Sequence, residues 1–364
     1  MKNNNIVISG YYGFNNAGDE AMLFAILKTL ETHFTNPNIT VISGDPKRTA
    51  DVFHVHAVSR FDGLGIIKKL CRSSLLISGG GSLLQDVTSW KSLMYYLSII
   101  ACGIFFRNKV FLYSQGIGPV KHRWVQCILK MVLDHVSAIT VRDEESKKFL
   151  KELGVRNRIY CTADSVLSLE PVSKTKGQNI LERYGVPLEK KIIGISVRRW
   201  LDTDMWMDKL NVYMEKLNKN HEYAFVFIPM QYPEDYKTVC EYARGLPDTY
   251  ILKEAYDTET LMSLIGNFDM LIGIRLHALI FAALMHIPAI GISYDPKIDN
   301  FLHSWGKESI FTIENFNADK LYEESKKMLA QNPEVYDWSK VDELREKARV
   351  TMEILKEISH SKEG

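Results

Sequence analysis

Arg275 and His277 stand two residues apart in the segment GIRLHALI, which is otherwise apolar. An arginine at the end of a buried strand needs an anion, either an internal carboxylate or a ligand, because an unpaired guanidinium is costly to bury. Its planar fork fits both carboxylate and phosphate. At a helix N-terminus a histidine is disfavoured in its protonated form, so it can serve as a base or as an acid recharged by substrate. The pair predicts acid–base chemistry on an anionic substrate.

Two further arginines, Arg142 and Arg198, end apolar runs in the same way. Arg142 is followed by Asp143, which is a candidate structural partner, whereas Arg275 has no acidic neighbour in the sequence closer than Asp269. Three arginines at strand ends indicate a site for an anion that carries two negative groups.

Glycines and polar residues also follow the predicted strands. Gly79 to Gly81 are expected to open a turn whose backbone N–H groups approach a ligand beside the next helix N-terminus, with a tight packing turn as the alternative. The run fits neither GxGxxG nor GxxxxGK[ST], which excludes those two phosphate-binding motifs. Helix capping is the alternative for Asn16 and Asp19. The candidate cleft residues are Asn15, Asn16, Asp19, Gly80, Gly81, Gln115, Tyr294 and Asp295.

Metal and disulfide signals are weak. Asp202 and Asp204 form a DxD pattern, but patterns of this length arise often by chance, and this one is expected to begin a helix. The five cysteines lie far apart without a CxxC, so we expect reduced thiols and neither a zinc site nor a disulfide framework. No metal is predicted.

The elements that position these residues alternate along the chain. Near-continuous apolar strands separated by segments of helical period indicate parallel sheets, and ligands bind past the carboxyl ends of such strands. Strands are predicted at 5–10, 39–45, 74–81, 109–116 and 138–143, and again at 191–198, 223–230, 249–254, 270–275 and 288–295.

The two blocks of strands predict an α/β protein with two Rossmann-like domains that face each other across a cleft. We assign residues 1–167 to the N-terminal domain, 168–182 to a linker and 183–332 to the C-terminal domain. The tail, 333–364, has apolar residues at helical spacing and is expected to form an amphipathic helix that packs on the body.

Composition narrows the function classes. The 45 basic and 44 acidic residues nearly cancel, which removes the basic excess expected of a nucleic-acid-binding protein. The apolar segment 93–106 is shorter than the ~20 residues of a spanning helix, so we expect it to be buried against a sheet, with a contact to lipid as the alternative. Because the N-terminus lacks a signal-peptide pattern, we expect a cytoplasmic protein, and a peripheral contact with the inner face of the membrane stays open.

Seven short motifs, taken in this order, resemble the polysaccharide pyruvyl transferase family from about residue 5 to about residue 300. They are GYYGFNNAGDEAML, ISGGGSLLQD, SQGIGP, VRDEESKKFL, SVRRW, IRLHALI and SYDPK. The resemblance is greatest to the CsaB type, which acts on secondary cell-wall polymers of Gram-positive bacteria. Each motif is short, but seven in one order make a specific signature.

The resemblance implies a two-domain fold similar to GT-B glycosyltransferases, phosphoenolpyruvate as donor and a pyruvate ketal on a sugar as product. For the CsaB type it implies an acceptor with N-acetylmannosamine in a lipid-linked disaccharide, modified across its 4- and 6-hydroxyls. The family's donor-binding arginines fall on Arg142 and Arg275 and its catalytic histidine on His277, and we add Arg198 and Leu276 to the donor site. No cofactor is expected, since phosphoenolpyruvate is a co-substrate.

Several alternatives stay open at this point. A polar residue of the family's first loop falls on Asn15 or Asn16, and the doubled asparagine leaves that choice open. A glycosyltransferase that uses a nucleotide sugar would share the architecture. A non-catalytic carbohydrate-binding protein could use the 17 tyrosines and 6 tryptophans but would leave His277 and the arginines unexplained. Oligomeric state is not predicted.

Overall fold

The computed structural model describes residues 4–87, 89–200, 203–243, 245–331 and 335–360. The chain divides into two compact units, each built on a parallel β-sheet with connecting helices. The first unit comprises the residues through Phe14, Asp19–Leu169 and the residues from Leu344 onward, and the second comprises Asn15–Gly18 and Glu170–Glu343. The prediction of an α/β protein with two Rossmann-like sheets is confirmed.

The first unit is built on a sheet of parallel strands. They are β1 (Asn5–Tyr12), β2 (Asn38–Ser43), β3 (His56–Ser59), β4 (Leu75–Ser78), β5 (Gly81–Leu84), β6 (Lys109–Ile117), β7 (Ala138–Val141) and β8 (Ile159–Cys161). Their order is β3-β2-β1-β4-β6-β7-β8, with β5 paired to β6. Along β1, Val7 packs into one apolar cluster and Ile6 and Ile8 into another. Burial on both faces explains why the central strands, such as β1 and β4, are largely apolar.

The second unit repeats this design on a smaller scale. Its strands are β9 (Lys191–Ser196), β10 (Tyr223–Phe227), β11 (Thr249–Ile251), β12 (Met270–Gly273), β13 (Ala289–Ser293) and β14 (Phe311–Thr312). They are parallel and lie in the order β11-β10-β9-β12-β13-β14. The predicted strands are all present. Sequence reasoning missed the short strands β3, β5, β8 and β14, which have two to four residues each.

Helices connect the strands in both units. They are α1 (Ala17–His33), α2 (Pro46–Phe53), α3 (Gly63–Arg72), α4 (Trp90–Phe105), α5 (Arg123–Leu133), α6 (Glu144–Glu152), α7 (Thr175–Arg183), α8 (Thr203–Leu217), α9 (Glu234–Tyr242), α10 (Thr258–Ile265), α11 (Leu276–Leu284), α12 (Pro296–Ser304), α13 (Ala318–Ala330) and α14 (Ser339–His360), with a 3₁₀ turn at Ser165–Ser168.

The segment 168–182 differs from the linker that we expected, because it contains most of α7. That helix is polar except for a short buried face with Ile180 and Leu181. Gly177 lets it approach the backbone of Ser263 closely, since a Cβ there would come 2.3 Å from the Ser263 carbonyl oxygen. Close packing through a glycine leaves no apolar periodicity in the sequence, so the helix was not predicted.

Helix α14 occupies the C-terminal segment where we expected an amphipathic helix. Leu344, Met352 and Leu355 are buried at helical spacing. Thr351 Oγ1 lies 3.0 Å from Ser114 Oγ, and Lys109 Nζ donates to the Ile358 carbonyl at 2.8 Å. The helix from Leu344 onward therefore packs on the first sheet.

Helix α4 covers the apolar segment 93–106, and its residues Leu93, Leu97 and Ile100 are buried in the first unit. Packing against the sheet explains the apolar composition, as expected. Across the described ranges, no helix has both the length and the apolarity needed to cross a membrane.

Candidate functional site

The residues that follow adjacent strands of the second sheet meet at its carboxyl edge. Ser196 pairs with Gly273, and Gly273 pairs with Gly291. Arg198, Arg275 and Tyr294 therefore follow three neighbouring strands, β9, β12 and β13. The structure brings these predicted site residues together because parallel strands end at the same edge.

Arg275 is held by an internal carboxylate. Its Nε donates to Asp235 Oδ2 at 3.0 Å, its Nη2 also bonds Asp235 Oδ1, and Nη2 donates to Gln231 Oε1 at 3.2 Å. The Asp235 side chain is 1% exposed and that of Arg275 is 12% exposed. The guanidinium is therefore fixed in orientation yet still reaches solvent.

Asp235 is a site residue that sequence reasoning missed. It lies on α9, beyond β10, and its Oδ2 accepts hydrogen bonds from the backbone N–H groups of Met230 at 3.1 Å and Gln231 at 2.9 Å. The signal was present in MQYPED, where two carboxylates follow the end of a buried strand. Because Asp235 lies 40 residues before Arg275 in the chain, its pairing with that arginine was not predictable from sequence spacing.

His277 occupies the first turn of α11, where Arg275 is the N-cap residue. The predicted position at a helix start is confirmed. Within the second unit, the imidazole packs against Gly18, because a Cβ at Gly18 would come 2.1 Å from His277 Nδ1. Only a residue without a side chain leaves room for the ring in this position. Gly18 was not among the candidate residues.

The segment Asn15–Gly18 belongs to the second unit rather than to the N-terminal domain that we assigned to 1–167. Ala17 N donates to the Met230 carbonyl at 2.7 Å, and Tyr232 N donates to the Asn15 carbonyl at 3.2 Å. Pairing with the loop that follows β10 therefore carries these residues out of the first unit. The sequence gives no local signal for such a long-range contact.

The two asparagines of this segment have different structural roles. Asn15 has a φ of 54°, a left-handed conformation that asparagine adopts more readily than most residues. Asn16 Oδ1 accepts a hydrogen bond from Gly18 N at 3.1 Å, which is a capping contact at the start of α1. The capping alternative therefore describes Asn16. The choice of one of them as a functional residue stays a prediction.

Arg198 lies between two aromatic rings. Its guanidinium carbon is 4.9 Å from the Trp200 ring centroid and 4.8 Å from that of Tyr294, and Nη1 donates to the Tyr294 hydroxyl. Its Nε is buried without a hydrogen-bond partner. Among the described residues, no carboxylate lies within ion-pair distance of Arg198. The side chain is thus positioned by packing, and its charge is not balanced by an acidic group in the described parts of the chain.

The remaining candidates on the second unit have local structural contacts. Asp295 caps α12, since its Oδ1 accepts from Lys297 N at 3.1 Å, and its Oδ2 lies 3.2 Å from Lys297 Nζ. Tyr294 is held by Arg198 as described. The Leu276 side chain is buried, so only its backbone N–H, at the first position of α11, is available to a ligand.

The glycines of the first unit are explained by packing. A Cβ at Gly79 would lie 1.9 Å from the buried Tyr12 hydroxyl, and one at Gly80 would lie 2.7 Å from Met22 Sδ. Gly81 has a φ of 95° and begins β5. The expectation of a helix N-terminus directly after these glycines is wrong, because β5 intervenes and α4 begins only at Trp90.

Gln115 is fully buried at the end of β6. Its Nε2 donates to Ser78 Oγ and to the Gly79 carbonyl, each at 2.7 Å, so its amide ties β6 to β4 and to the turn that follows it. In this conformation the side chain does not reach solvent.

Arg142 is compensated by two carboxylates. Nη1 donates to Asp164 Oδ2 at 3.3 Å, Nε lies 3.5 Å from Asp143 Oδ2, and Nη2 donates to Ser82 Oγ at 3.0 Å. The structure thus contains the Asp143 pair that the sequence indicated and adds Asp164. Its side chain is 7% exposed, and a Cβ at Gly116 would lie 2.8 Å from Nη2.

The acidic residues at the start of α1 surround Tyr12 and the first loop. Glu20 Oε1 accepts a hydrogen bond from Gly13 N at 2.8 Å. Burial raises the pKa of Glu20 above its ordinary value, although that hydrogen bond opposes the shift. Burial also raises the pKa of Tyr12, and the neighbouring Asp19 and Glu20 carboxylates raise it further. Asp19 lies beside Gly81, where a Cβ would be 3.3 Å from its Oδ1.

The described part of the DxD segment does not form a metal site. Asp202 lies outside the described residues, Thr203 begins α8, and Asp204 accepts a hydrogen bond from the Tyr242 hydroxyl. Among the described residues, no group of three or more His, Cys, Asp or Glu side chains is arranged to hold a metal ion.

Comparison with known families identifies the chain. The family model of polysaccharide pyruvyl transferase matches residues 16–296, which is more than half of the 364 residues. The chain belongs to the polysaccharide pyruvyl transferase family. It is therefore a transferase, and the activity of its family is the transfer of pyruvyl groups to polysaccharides. No curated protein matches the chain.

Solved structures with the same fold include sugar-nucleotide enzymes. The UDP-GlcNAc 2-epimerase of Methanocaldococcus jannaschii has a TM-score of 0.69 at 13% identity, over 97% of this chain and 99% of that one. The UDP-GlcNAc 2-epimerase of Neisseria meningitidis, bound to UDP-GlcNAc, has a TM-score of 0.65 at 10% identity, over 97% and 100%. A Rickettsia africae glycosyltransferase has a TM-score of 0.60 at 13% identity, over 99% and 100%. These similarities show a GT-B-like fold and no more.

Proposed function

We propose that this chain transfers pyruvate from phosphoenolpyruvate to a sugar of a cell-wall polysaccharide precursor, forms a 4,6-linked pyruvate ketal and releases phosphate. The observation that carries the proposal is the grouping of two arginines and a histidine at one edge of the second sheet. Arg275 is fixed by Asp235, and Arg198 has no acidic partner among the described residues. His277 lies in the first turn of α11, whose N-cap residue is Arg275.

In this proposal, Arg198, Arg275 and His277 form the donor site. Phosphoenolpyruvate carries a carboxylate and a phosphate, and arginine matches both geometries. Arg198 and Arg275 follow the neighbouring strands β9 and β12, so two guanidinium groups can face one small molecule that carries both a carboxylate and a phosphate. The Leu276 and His277 backbone N–H groups, at the open end of α11, add donors for a phosphate or carboxylate oxygen. Arg142 remains a predicted donor ligand, although two carboxylates already balance its charge.

The reaction requires a proton donor at the methylene carbon. In the proposed mechanism, His277 protonates that carbon while one sugar hydroxyl attacks C2, forms the first carbon–oxygen bond and gives its proton to the imidazole, which is thereby protonated again. The bond between C2 and the phosphate oxygen then breaks, and phosphate leaves with stabilisation from an arginine. The second hydroxyl attacks C2, gives its proton to the departing phosphate and closes the ketal. Correctly placed acid–base groups contribute roughly 10²–10⁴-fold to such a rate.

The acceptor we propose is N-acetylmannosamine of a lipid-linked disaccharide, as in the CsaB type. We assign acceptor binding to the first unit, with Asp19 as a candidate contact, while Asn15 and Asn16 of the second unit remain predicted site residues. A lipid-linked acceptor would bring the enzyme to the inner face of the cell membrane, and we propose the cytoplasm as the place of reaction.

Phosphate release from phosphoenolpyruvate tests the proposal. The enzyme is assayed with and without a synthetic lipid-diphosphate disaccharide that ends in N-acetylmannosamine, and the product is examined by NMR for the ketal carbon. We expect acceptor-dependent release and a 4,6-ketal. If phosphoenolpyruvate protects the enzyme against heat but no phosphate appears, the donor assignment stands and the acceptor assignment is wrong.

The family match does not favour the alternative of a glycosyltransferase with a nucleotide-sugar donor. The same heat-protection measurement separates the two donors. Protection by a UDP-sugar without protection by phosphoenolpyruvate would contradict the proposed function. We expect the reverse, because the activity of this chain's family is pyruvyl transfer.

A further inference from the structure

The exposed apolar side chains of the first unit include a group at the N-terminal ends of three neighbouring helices. Phe61 is 84% exposed and Leu64 is 82% exposed at the start of α3, while Trp90 is 41% exposed at the start of α4 and Trp124 is 47% exposed at the start of α5. Side chains of this size are rarely so accessible together without a partner. We call these four residues, Phe61, Leu64, Trp90 and Trp124, the aromatic rim.

The aromatic rim lies on three helices that pack side by side. Helix α4 packs against both α3 and α5. The Trp90 and Trp124 rings meet edge to face with centroids 5.4 Å apart. Arg60, which precedes Phe61 and α3, contacts α4, because its guanidinium carbon lies 4.7 Å from the Tyr95 ring centroid and its carbonyl accepts from the Tyr95 hydroxyl at 3.1 Å.

The segments that carry the aromatic rim are basic. Exposed lysines and arginines lie within or directly beside it, namely Lys68, Lys91, Lys121 and Arg123. The carboxylates in segments 60–68, 86–91 and 121–124 are those of Asp62 and Asp86. Asp62 caps α3 through Gly65 N at 2.9 Å. The Asp86 side chain is fully buried and lies 2.7 Å from His122 Nδ1, so it offers no charge at the surface.

We infer that the aromatic rim is a docking surface for an anionic phospholipid bilayer. Tryptophan and phenylalanine insert at the boundary between headgroups and acyl chains, while lysine and arginine attract acidic headgroups. A symmetric contact with a second copy would place Lys91 and Arg123 against the same basic residues of the other copy, which is unfavourable. The charge of the surface therefore favours a bilayer over self-association.

The position of the aromatic rim connects this surface with the proposed acceptor. Helices α3, α4 and α5 follow β3, β5 and β6, so their N-termini lie at the carboxyl edge of the first sheet. That edge belongs to the unit to which we assign acceptor binding. Docking would bring a lipid-linked sugar to this edge without extraction from the membrane. This last step rests on the proposed function, whereas vesicle binding does not.

Vesicle flotation tests the inference. The purified full-length protein is mixed with phosphatidylglycerol–phosphatidylcholine vesicles or with pure phosphatidylcholine vesicles. We expect binding to the anionic vesicles, weakened by salt. Phe61→Ser combined with Leu64→Ser should lower the partition coefficient roughly tenfold or more, because two apolar side chains are lost from the contact. Lys91→Glu combined with Arg123→Glu should remove the preference for anionic lipid.

Phe105→Ser is the matched control. Phe105 is 80% exposed but lies at the opposite, C-terminal end of α4. We expect this variant to bind vesicles as the wild type does, and melting temperatures verify that all variants fold. Absence of wild-type binding to anionic vesicles, or equal losses for Phe105→Ser and the Phe61–Leu64 variant, would overturn the inference. So would a dimer, seen by light scattering, that the Phe61–Leu64 variant abolishes without any vesicle binding.

Discussion

Arg142 and Arg198 follow strands in two sheets of the same design, but their surroundings differ. Arg142 contacts the carboxylates of Asp143 and Asp164, and Ser82 accepts a further hydrogen bond from it. Arg198 is held by the rings of Trp200 and Tyr294 and has no acidic partner in the described parts of the chain. A strand-end arginine in the sequence therefore indicates an anion, and only the folded chain shows whether that anion is internal.

Arg275 is intermediate between these two cases. Asp235 balances one charge, and the side chain is still partly accessible. The carboxyl edge of the second sheet consequently has one guanidinium fixed by a buried aspartate and another without a described acidic partner. At the carboxyl edge of the first sheet, Arg142 and Gln115 already have internal hydrogen-bond partners, apart from the Gln115 Oε1 atom. This contrast favours the second unit as the place where an anionic donor binds.

Among substitutions at the carboxyl edge of the second sheet, removal of the His277 imidazole should have the largest effect on activity. His277→Ala should lower kcat roughly 10²–10⁴-fold with phosphoenolpyruvate affinity little changed, because the proton donor is lost while the arginines remain. Steady-state phosphate release and calorimetric titration measure the two quantities. His303→Ala removes an exposed histidine on α12 and should behave like the wild type. Equal kcat values for His277→Ala and the wild type would remove His277 from the reaction.

Removal of the Asp235 carboxylate, which fixes Arg275, should have the largest effect on the stability of the protein. Asp235→Ala leaves a guanidinium and two backbone N–H groups without their acceptor, so we expect a loss of about 3–5 kcal/mol in the free energy of unfolding. Urea denaturation measures this value. Asp319→Ala removes an exposed ion pair with Lys216 and should leave stability unchanged within error. Similar urea denaturation midpoints for the two variants would show that Asp235 does not stabilise the carboxyl edge of the second sheet.

A methyl group at Gly18 should displace the imidazole. Its Cβ would overlap His277 Nδ1, so the ring must move away from its present position. A displacement of this size can cost about 10²-fold in kcat. Phosphoenolpyruvate affinity should be retained. Gly63→Ala, where a Cβ meets no atom within 4 Å, is the control that should keep full activity. Full activity of Gly18→Ala would mean that the position of the ring is not critical.

The fold was largely predictable from the sequence because burial on both faces makes strands such as β1, β4 and β12 apolar throughout. Short edge strands such as β3 and β14 lack that signal. The site was predictable in part, since Arg275, His277 and Arg198 stand where apolar runs end. The contacts of Asp235 and Gly18 with Arg275 and His277 were not predictable, because these partners are distant in the sequence.

Local polar residues were the least informative part of the sequence. Asn16 and Asp295 follow strands, as ligand-binding residues do, but each caps a helix in the structure. Gln115 lies near the end of β6, and its buried amide bonds Ser78 and Gly79. A capping residue and a ligand-binding residue have the same chemistry and the same position after a strand, so sequence alone does not separate them.

Phosphoenolpyruvate affinity measured for Arg198→Gln and Arg199→Gln tests the central claim most directly. The two arginines are adjacent, but Arg199 is 60% exposed and pairs with Glu241, whereas Arg198 lies between Trp200 and Tyr294. We predict that Arg198→Gln weakens binding roughly tenfold or more, as expected for the loss of a charged hydrogen bond of about 1.5–3 kcal/mol, and that Arg199→Gln leaves the dissociation constant unchanged. Equal affinities in both variants and the wild type would contradict a donor site at the carboxyl edge of the second sheet.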